Sequence, residues 1–346
     1  MLRALPLLVL ALLGLVHVWQ TAYEGMGIDF FQFWSVGQAV REHLVDDVYA
    51  PDAGPRLAKI FLERAREGGR RHQAAATFRR DEIQTSNTPF LYTVFYAFES
   101  GDYETDIGRF RLLGLLVAVL SVVTLCRRAG YSIAGTLAAL VFVLWAFVPL
   151  HYDLREGNVN SVQLGAMALY LLLAGGQAPP WRRVAGGAAL ALGVAFKPNL
   201  LFVPLVLAMA WVIRREWKDL ALKASGMALG ALAAIVASAA FFGSVTPWLS
   251  WADTLRHINE TFGSSVKWGS FGGGRLLADL TGRSLSPVLY LITLGAVAFA
   301  IWKARSGSPS AGEARTAALG EFAVLGVGPL VPLIAADLAW PHYLVQ

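Results

Sequence analysis

Long apolar runs recur from one end of the chain to the other: Leu5 to Thr21, Leu112 to Cys126, Ile133 to Leu150, Val159 to Ala174, Val184 to Ile213, Leu220 to Phe242, Pro287 to Trp302 and Ala317 to Leu338. A bilayer core about 30 Å thick takes roughly 17 to 25 such residues per helix. Inside it every backbone polar group has to be bonded within a helix or a closed barrel, and runs of this length fit helices. The expected class is therefore an all-α integral membrane protein, with residues 1–346 forming one polytopic domain rather than an anchor on a soluble body. Composition agrees: 56% of residues are hydrophobic and 15% charged, with mean hydropathy +0.52, against roughly 25% charged in soluble proteins.

Charge orders the spans. As one helix, Val184 to Ile213 would be about 45 Å long, too long for the bilayer, and Lys197-Pro198 interrupts it in the middle. Arg182-Arg183 before it and Arg214-Arg215 after it place both ends in the cytoplasm, so Lys197 lies at a turn near the outer leaflet. Nine membrane helices are then expected, with the N-terminus inside, the C-terminal end outside, and Arg127-Arg128 and the Lys303 to Arg315 connection inside. Trp19, Trp145, Trp181, Trp211, Trp302 and Trp340 fall at span ends, as an aromatic belt requires. The first run, after Arg3, has the pattern of a signal peptide with a weak cleavage-like Ala22-Tyr23-Glu24, but its length favours a retained span. The location expected is a multi-pass protein of the plasma (inner) membrane.

Three segments then face outward: 23–108, 151–158 and 244–285. The first is too long for a simple connector. Its Arg56 to Arg80 portion carries eight Arg or Lys against two Glu, with Leu57, Ile60 and Phe61 on one helical face, which predicts an amphipathic helix lying on anionic lipid. Val94 to Phe98, apolar but too short to span, is expected to dip into the membrane. The lone Cys126 excludes an internal disulfide, no Cys/His metal spacing occurs, and the net charge of +5 reflects membrane orientation rather than nucleic-acid binding.

The candidate site residues lie around these outer segments. Asp29, in Gly27-Ile28-Asp29-Phe30-Phe31-Gln32-Phe33-Trp34, is either a general base or a loop carboxylate capping a short helix. Transfer of a sugar from a lipid phosphate needs only one such base, because the phosphate leaves unprotonated. Asp46, Asp47 and Asp52 are cation ligands or solvated turn residues. In His151 to Asn160, Arg155 suits a phosphate or a loop ion pair, while Asn158 and Asn160 are polar ligands or helix caps. Lys197, a charge well inside an apolar stretch, binds a lipid phosphate or an outer-leaflet carboxylate, or snorkels to the headgroups. Gly272 to Gly274 with Arg275 form a weak phosphate motif or a flexible link. Glu321 reads as packing or interface, and His342 as a sugar ligand, proton relay or interface residue.

Taken in order, several short motifs resemble glycosyltransferase family 87, bacterial membrane mannosyltransferases of the GT-C fold. They are Asp29 to Trp34, Val48-Tyr49-Ala50-Pro51, Thr88-Pro89-Phe90, Gly157-Asn158-Val159-Asn160, Lys197-Pro198 and Trp340-Pro341-His342-Tyr343. The resemblance implies a polyprenyl-phosphate sugar donor, most often mannose, a lipid or glycan acceptor, and inverting transfer on the outer face. It casts Asp29 as the catalytic base, Lys197 and Arg155 as ligands of the donor phosphate, and His342 as an acceptor ligand. Asn158 and Arg275 are further binding candidates, and Trp34, Tyr92 and Trp268 form a sugar-facing wall. No cofactor is expected, and a divalent cation is possible without being required. Two departures stand out: Gly157-Asn158 replaces the family's common Gly-Gln, and the chain stops at Gln346 where relatives continue through further spans, so a truncated sequence is expected. The competing reading is a lipid-phosphate transporter or flippase. No internal repeat supports it, and apart from Lys197 the ionisable groups lie near span ends, leaving the inner half of the membrane without a polar path.

Overall fold

The computed structural model describes residues 4–176, 178–263, 273–305 and 313–335, and all regular structure in them is helical. Helix α1 (Leu5–Tyr23) leaves Leu8, Leu12 and Val16 exposed, as a lipid-facing surface does. It is followed by four short helices, α2 (Ile28–Arg41), α3 (Ala53–Ala65), α4 (Arg70–Phe78) and α5 (Pro89–Tyr96), and then by the long α6 (Tyr103–Arg128).

The four short helices make a core of their own. Residues 30–39 of α2 are all buried, the mark of a helix packed on every side. The apolar face of α3, Leu57, Ala58, Phe61 and Ala65, lies on α2, with the Phe61 ring 6.4 Å from Phe31 and 6.0 Å from Trp34. The predicted amphipathic helix is thus present, but its apolar stripe is spent on protein instead of lipid. Val94 to Phe98 is anchored to the same core by one residue. Thr88 caps α5 by accepting the Leu91 N–H at 3.2 Å, and Phe95 packs against Phe30 and Phe33 of α2, while Tyr96, 41% exposed, stays outside this core.

Helices α7 (Ile133–Trp145) and α8 (Val148–Glu156) meet at 58°. Pro149, in the first turn of α8, has no N–H to continue the ladder and clashes with the preceding turn. Then come α9 (Asn160–Ala174), α10 (Pro180–Phe196), a 3₁₀ turn (Pro198–Leu201), α11 (Phe202–Arg214) and α12 (Trp217–Phe242). The expected break falls at Lys197, whose extended backbone (φ −153°, ψ 119°) is what a following proline imposes. The chain continues through α13 (Thr246–Gly263), α14 (Gly273–Thr281), α15 (Ser286–Arg305), α16 (Glu313–Val327) and α17 (Leu330–Ala335). Among the described residues four helices are long and apolar enough to cross a membrane (α1, α6, α12 and 286–304), or five if the bent α7–α8 pair is one span. Asn160–Ala174, Pro198–Arg214 and Gly320–Ala335 are shorter apolar helices, so the described residues do not reach nine full-length spans.

Helices α10 and α12 touch through glycine. A Cβ on Gly187 would stand 2.2 Å from the Lys223 carbonyl oxygen, and one on Gly226 2.0 Å from that of Val184, the small-residue contact by which membrane helices approach closely. Beside this seam Lys223, 1% exposed, donates to Glu321 at 2.7 Å and lies 3.3 Å from Asp219 and 4.9 Å from the Trp211 ring centre. Tyr170 donates to the same Glu321 at 2.5 Å, and Arg183 pairs with Asp219. Lys197 is therefore not the only cation in an apolar stretch, and Glu321 is one end of an ion network around the buried Lys223, not a peripheral residue. Lys223 escapes a hydropathy reading because it stands near the start of its span in sequence, while the bundle around it covers it.

Candidate functional site

Two left-handed glycines bring the site together. Gly27 (φ 76°) precedes α2, and the Tyr103 hydroxyl donates to the Met26 and Gly27 carbonyls at 2.7 and 2.9 Å, fixing the turn that puts Asp29 in the first turn of α2. Gly157 (φ 68°) ends α8, and a Cβ there would stand 2.5 Å from Phe30 Cβ. Only glycine adopts this conformation without strain and allows so close an approach. The loop after Gly157 is tied down by Asp153, which accepts from the Asn160 side chain at 2.8 Å and from the Ser161 N–H and hydroxyl at 3.0 and 2.5 Å. Asn158 is thereby held over α2.

The result is a chain of polar contacts across four elements. Asn158 Nδ2 donates to Asp29 Oδ2 at 2.6 Å, and Asn158 Oδ1 accepts from Lys197 Nζ at 3.1 Å and from the Val159 N–H at 2.7 Å. The Lys197 carbonyl accepts from Gln163 Nε2 at 2.8 Å, and that amide also reaches Asn199 Oδ1 at 3.1 Å. Thr88 donates to the Ala195 carbonyl, tying the start of α5 to the end of α10. On the other side of the carboxylate, Gln32 Nε2 donates to Asp29 Oδ1 at 3.3 Å, and Arg79 Nη2 lies 3.7 Å from the same oxygen. Arg79 follows α4; its side chain is 14% exposed, and that of Asp29 18%. Burial pulls the Arg79 guanidinium below its ordinary value, with Asp29 and Glu156 opposing the shift.

An apolar groove of about 610 Å³ runs between α6, α9 and α10, lined by Val117, Leu120, Gly165, Leu169 and, at the end next to Lys197, Gly193 and Phe196. The polar chain and this groove thus adjoin at the break between α10 and the 3₁₀ turn.

Of the residues expected from sequence, Asp29, Asn158 and Lys197 are brought together. Arg155 is half-exposed and 3.9 Å from Glu156, while its carbonyl accepts from the buried Arg111 at 2.6 Å, so its guanidinium is not one of the groups around Asp29. Trp34 and Tyr92, 3% and 0% exposed, are core residues here. Trp34 donates to Asp106 at 3.1 Å and the Tyr92 hydroxyl accepts from the Asn87 N–H at 3.3 Å, so neither ring offers a face to a sugar. Arg275 pairs with Asp279 within α14 at 2.8 Å. Trp268 and His342 lie outside the described residues. Asp47 accepts from the Tyr49 N–H at 2.9 Å and from the Ser250 hydroxyl at 2.9 Å. Among the described residues no three His, Cys, Asp or Glu side chains gather into a metal-holding group.

Sequence reasoning missed Gln32, Arg79, Asp153 and Gln163. Gln32 stands one turn along from Asp29 and was within reach of a helical reading. Arg79 was one of eight cations in a run assigned to lipid, and nothing local distinguishes it.

The glycosyltransferase family 87 model matches residues 86–328, a stretch that includes Asn158, Gln163 and Lys197, with Asp29 and Arg79 preceding it. No curated protein and no solved structure matches the chain.

Proposed function

The chain belongs to glycosyltransferase family 87 and is an all-α membrane glycosyltransferase, and we propose that it moves mannose from a polyprenyl-phosphate donor to a lipid or glycan acceptor on the outer face of the plasma membrane. The observation that carries this reading is the Asp29–Asn158–Lys197 chain at the end of the apolar groove. A single carboxylate serves as general base for the acceptor hydroxyl. A cation one amide's width away, on the residue that follows Phe196 of the apolar groove, suits the phosphate of a lipid whose tail occupies that groove.

In the reaction Asp29 takes the proton of the acceptor hydroxyl as its oxygen attacks the anomeric carbon, and the bond to the phosphate oxygen breaks on the opposite face, giving inversion. The electron pair leaves with the phosphate, where Lys197 stabilises the charge. Asn158 holds Asp29 on one side and Lys197 on the other, which fixes their spacing. Arg275 remains a candidate for a phosphate and His342 for the acceptor. No step requires a cofactor.

The test is sugar transfer from radiolabelled polyprenyl-phosphate mannose to a membrane lipid extract by purified wild type and Asp29→Asn. Transfer by wild type, reduced by roughly 100- to 10,000-fold in the variant, is the expected result. Full transfer by a folded Asp29→Asn protein removes the base assignment. Wild-type protein that moves labelled lipid across vesicles without transfer is instead a flippase.

A further inference from the structure

Arg79 has no place in the reaction as written, and its setting is unusual. Its Nε is buried without a hydrogen-bond partner among the described residues, and its Nη2 stops 3.7 Å from Asp29 Oδ1, beyond hydrogen-bond length. A buried guanidinium that pairs electrostatically but leaves donors unfilled is costly. Gln32 already donates to this carboxylate oxygen, and Asn158 to the other. A hydroxyl placed about 2.8 Å from both groups would accept from Arg79 while donating its proton to Asp29.

Which substrate brings that hydroxyl follows from the arrangement of the two cations. Lys197 lies beyond Asn158, at the end of the membrane groove. Arg79 stands on the other carboxylate oxygen, on a segment belonging to the α2–α5 core. An inverting displacement needs the attacking and leaving oxygens on opposite faces of the anomeric carbon. Arg79, 3.7 Å from the base, stands beside the attacking oxygen, while Lys197 is linked to Asp29 through the Asn158 amide.

We propose that Arg79 is a catalytic residue of the acceptor side, donating to the attacking hydroxyl of a polyhydroxylated acceptor, a glycan or polyol headgroup, as Asp29 removes its proton. The guanidinium stabilises the charge that develops on the attacking oxygen, and its remaining N–H groups reach a neighbouring hydroxyl in the same plane. This rests on the transferase reading above and adds the residue that selects and orients the acceptor.

The test titrates both substrates, radiolabelled polyprenyl-phosphate mannose and a membrane glycolipid extract, for wild type, Arg79→Gln and Arg79→Lys. KM does not depend on the fraction of folded enzyme, so partial misfolding cannot mimic the outcome. Arg79→Gln is expected to raise the acceptor KM about tenfold or more and to lower kcat, with donor KM within about twofold of wild type. Arg79→Lys recovers part of the loss, as a point charge without the fork. Binding of sugar-free polyprenyl monophosphate, read by thermal shift, stays intact in Arg79→Gln and is lost in Lys197→Met. A raised donor KM or lost monophosphate binding in Arg79→Gln makes Arg79 a phosphate ligand and overturns the assignment. An unchanged acceptor KM makes it a structural ion pair and overturns it too. Wild-type protein that binds the monophosphate but transfers nothing sinks the transferase reading itself, and the assignment with it.

Discussion

Asn158 donates its side-chain amide to the Asp29 carboxylate at 2.6 Å, across 129 positions of sequence. It also accepts from Lys197, so one short amide sets the distance between the base and the cation. Removing it is expected to lower kcat by roughly 10- to 100-fold, the worth of one hydrogen bond to a charged group. Asn158→Ala, assayed for transfer at saturating substrates, measures this. A variant at full rate would show that the amide does not set this spacing for the reaction.

Gly157 is the hinge that delivers Asn158. At φ 68°, with a Cβ that would stand 2.5 Å from Phe30 Cβ, alanine there is strained by both its backbone and its neighbour. Gly157→Ala is expected to lower the melting temperature and to lose transfer in the molecules that remain folded. Gly176, equally left-handed but with nothing within 4 Å of a Cβ, is the control. If both variants melt and react alike, contact with α2 is not what Gly157 provides.

Glu99 predicts a pH dependence away from the site. It lies between α5 and α6, opposite Gly37, with both carboxylate oxygens buried and without hydrogen-bond partners among the described residues. Burial pushes its carboxyl from 4.5 up to about 8, only partly opposed by Arg41. The folded protein therefore holds a proton that the unfolded chain releases, and stability falls as pH rises from about 4.5 through about 8, then levels off. Glu99→Gln keeps the neutral form at every pH. Its melting temperature relative to wild type is expected to rise between pH 5 and pH 9, and a constant difference would rule out Glu99 as the titrating group.

The Lys223–Glu321 pair ties α12 to α16 at 2.7 Å. Lys223→Met leaves Glu321 buried with only the Tyr170 hydroxyl, and breaking one side of a buried pair costs about 3–5 kcal/mol. The double variant Lys223→Met/Glu321→Leu removes both charges and is expected to recover most of the loss, since apolar replacements of buried pairs are often neutral or stabilising. Denaturant unfolding in detergent measures both. Additive losses in the double variant would show the two residues act independently.

The sequence by itself determined the membrane class, the break at Lys197 and the identity of Asp29, Asn158 and Lys197 as candidates. Apolar run length is set by bilayer thickness, and proline restricts the residue before it, so both are local signals. What only the tertiary structure decided is which charges meet. Arg79 looks like its seven basic neighbours until α4 folds against α2, and Trp34 and Tyr92 look like sugar-facing aromatics until the α2–α5 core covers them. Lys223 looks like a span-end lysine until α16 brings Glu321 to it. Electrostatic partnership depends on distance through space over a few ångströms, and in this chain those distances are closed by packing between segments far apart in sequence.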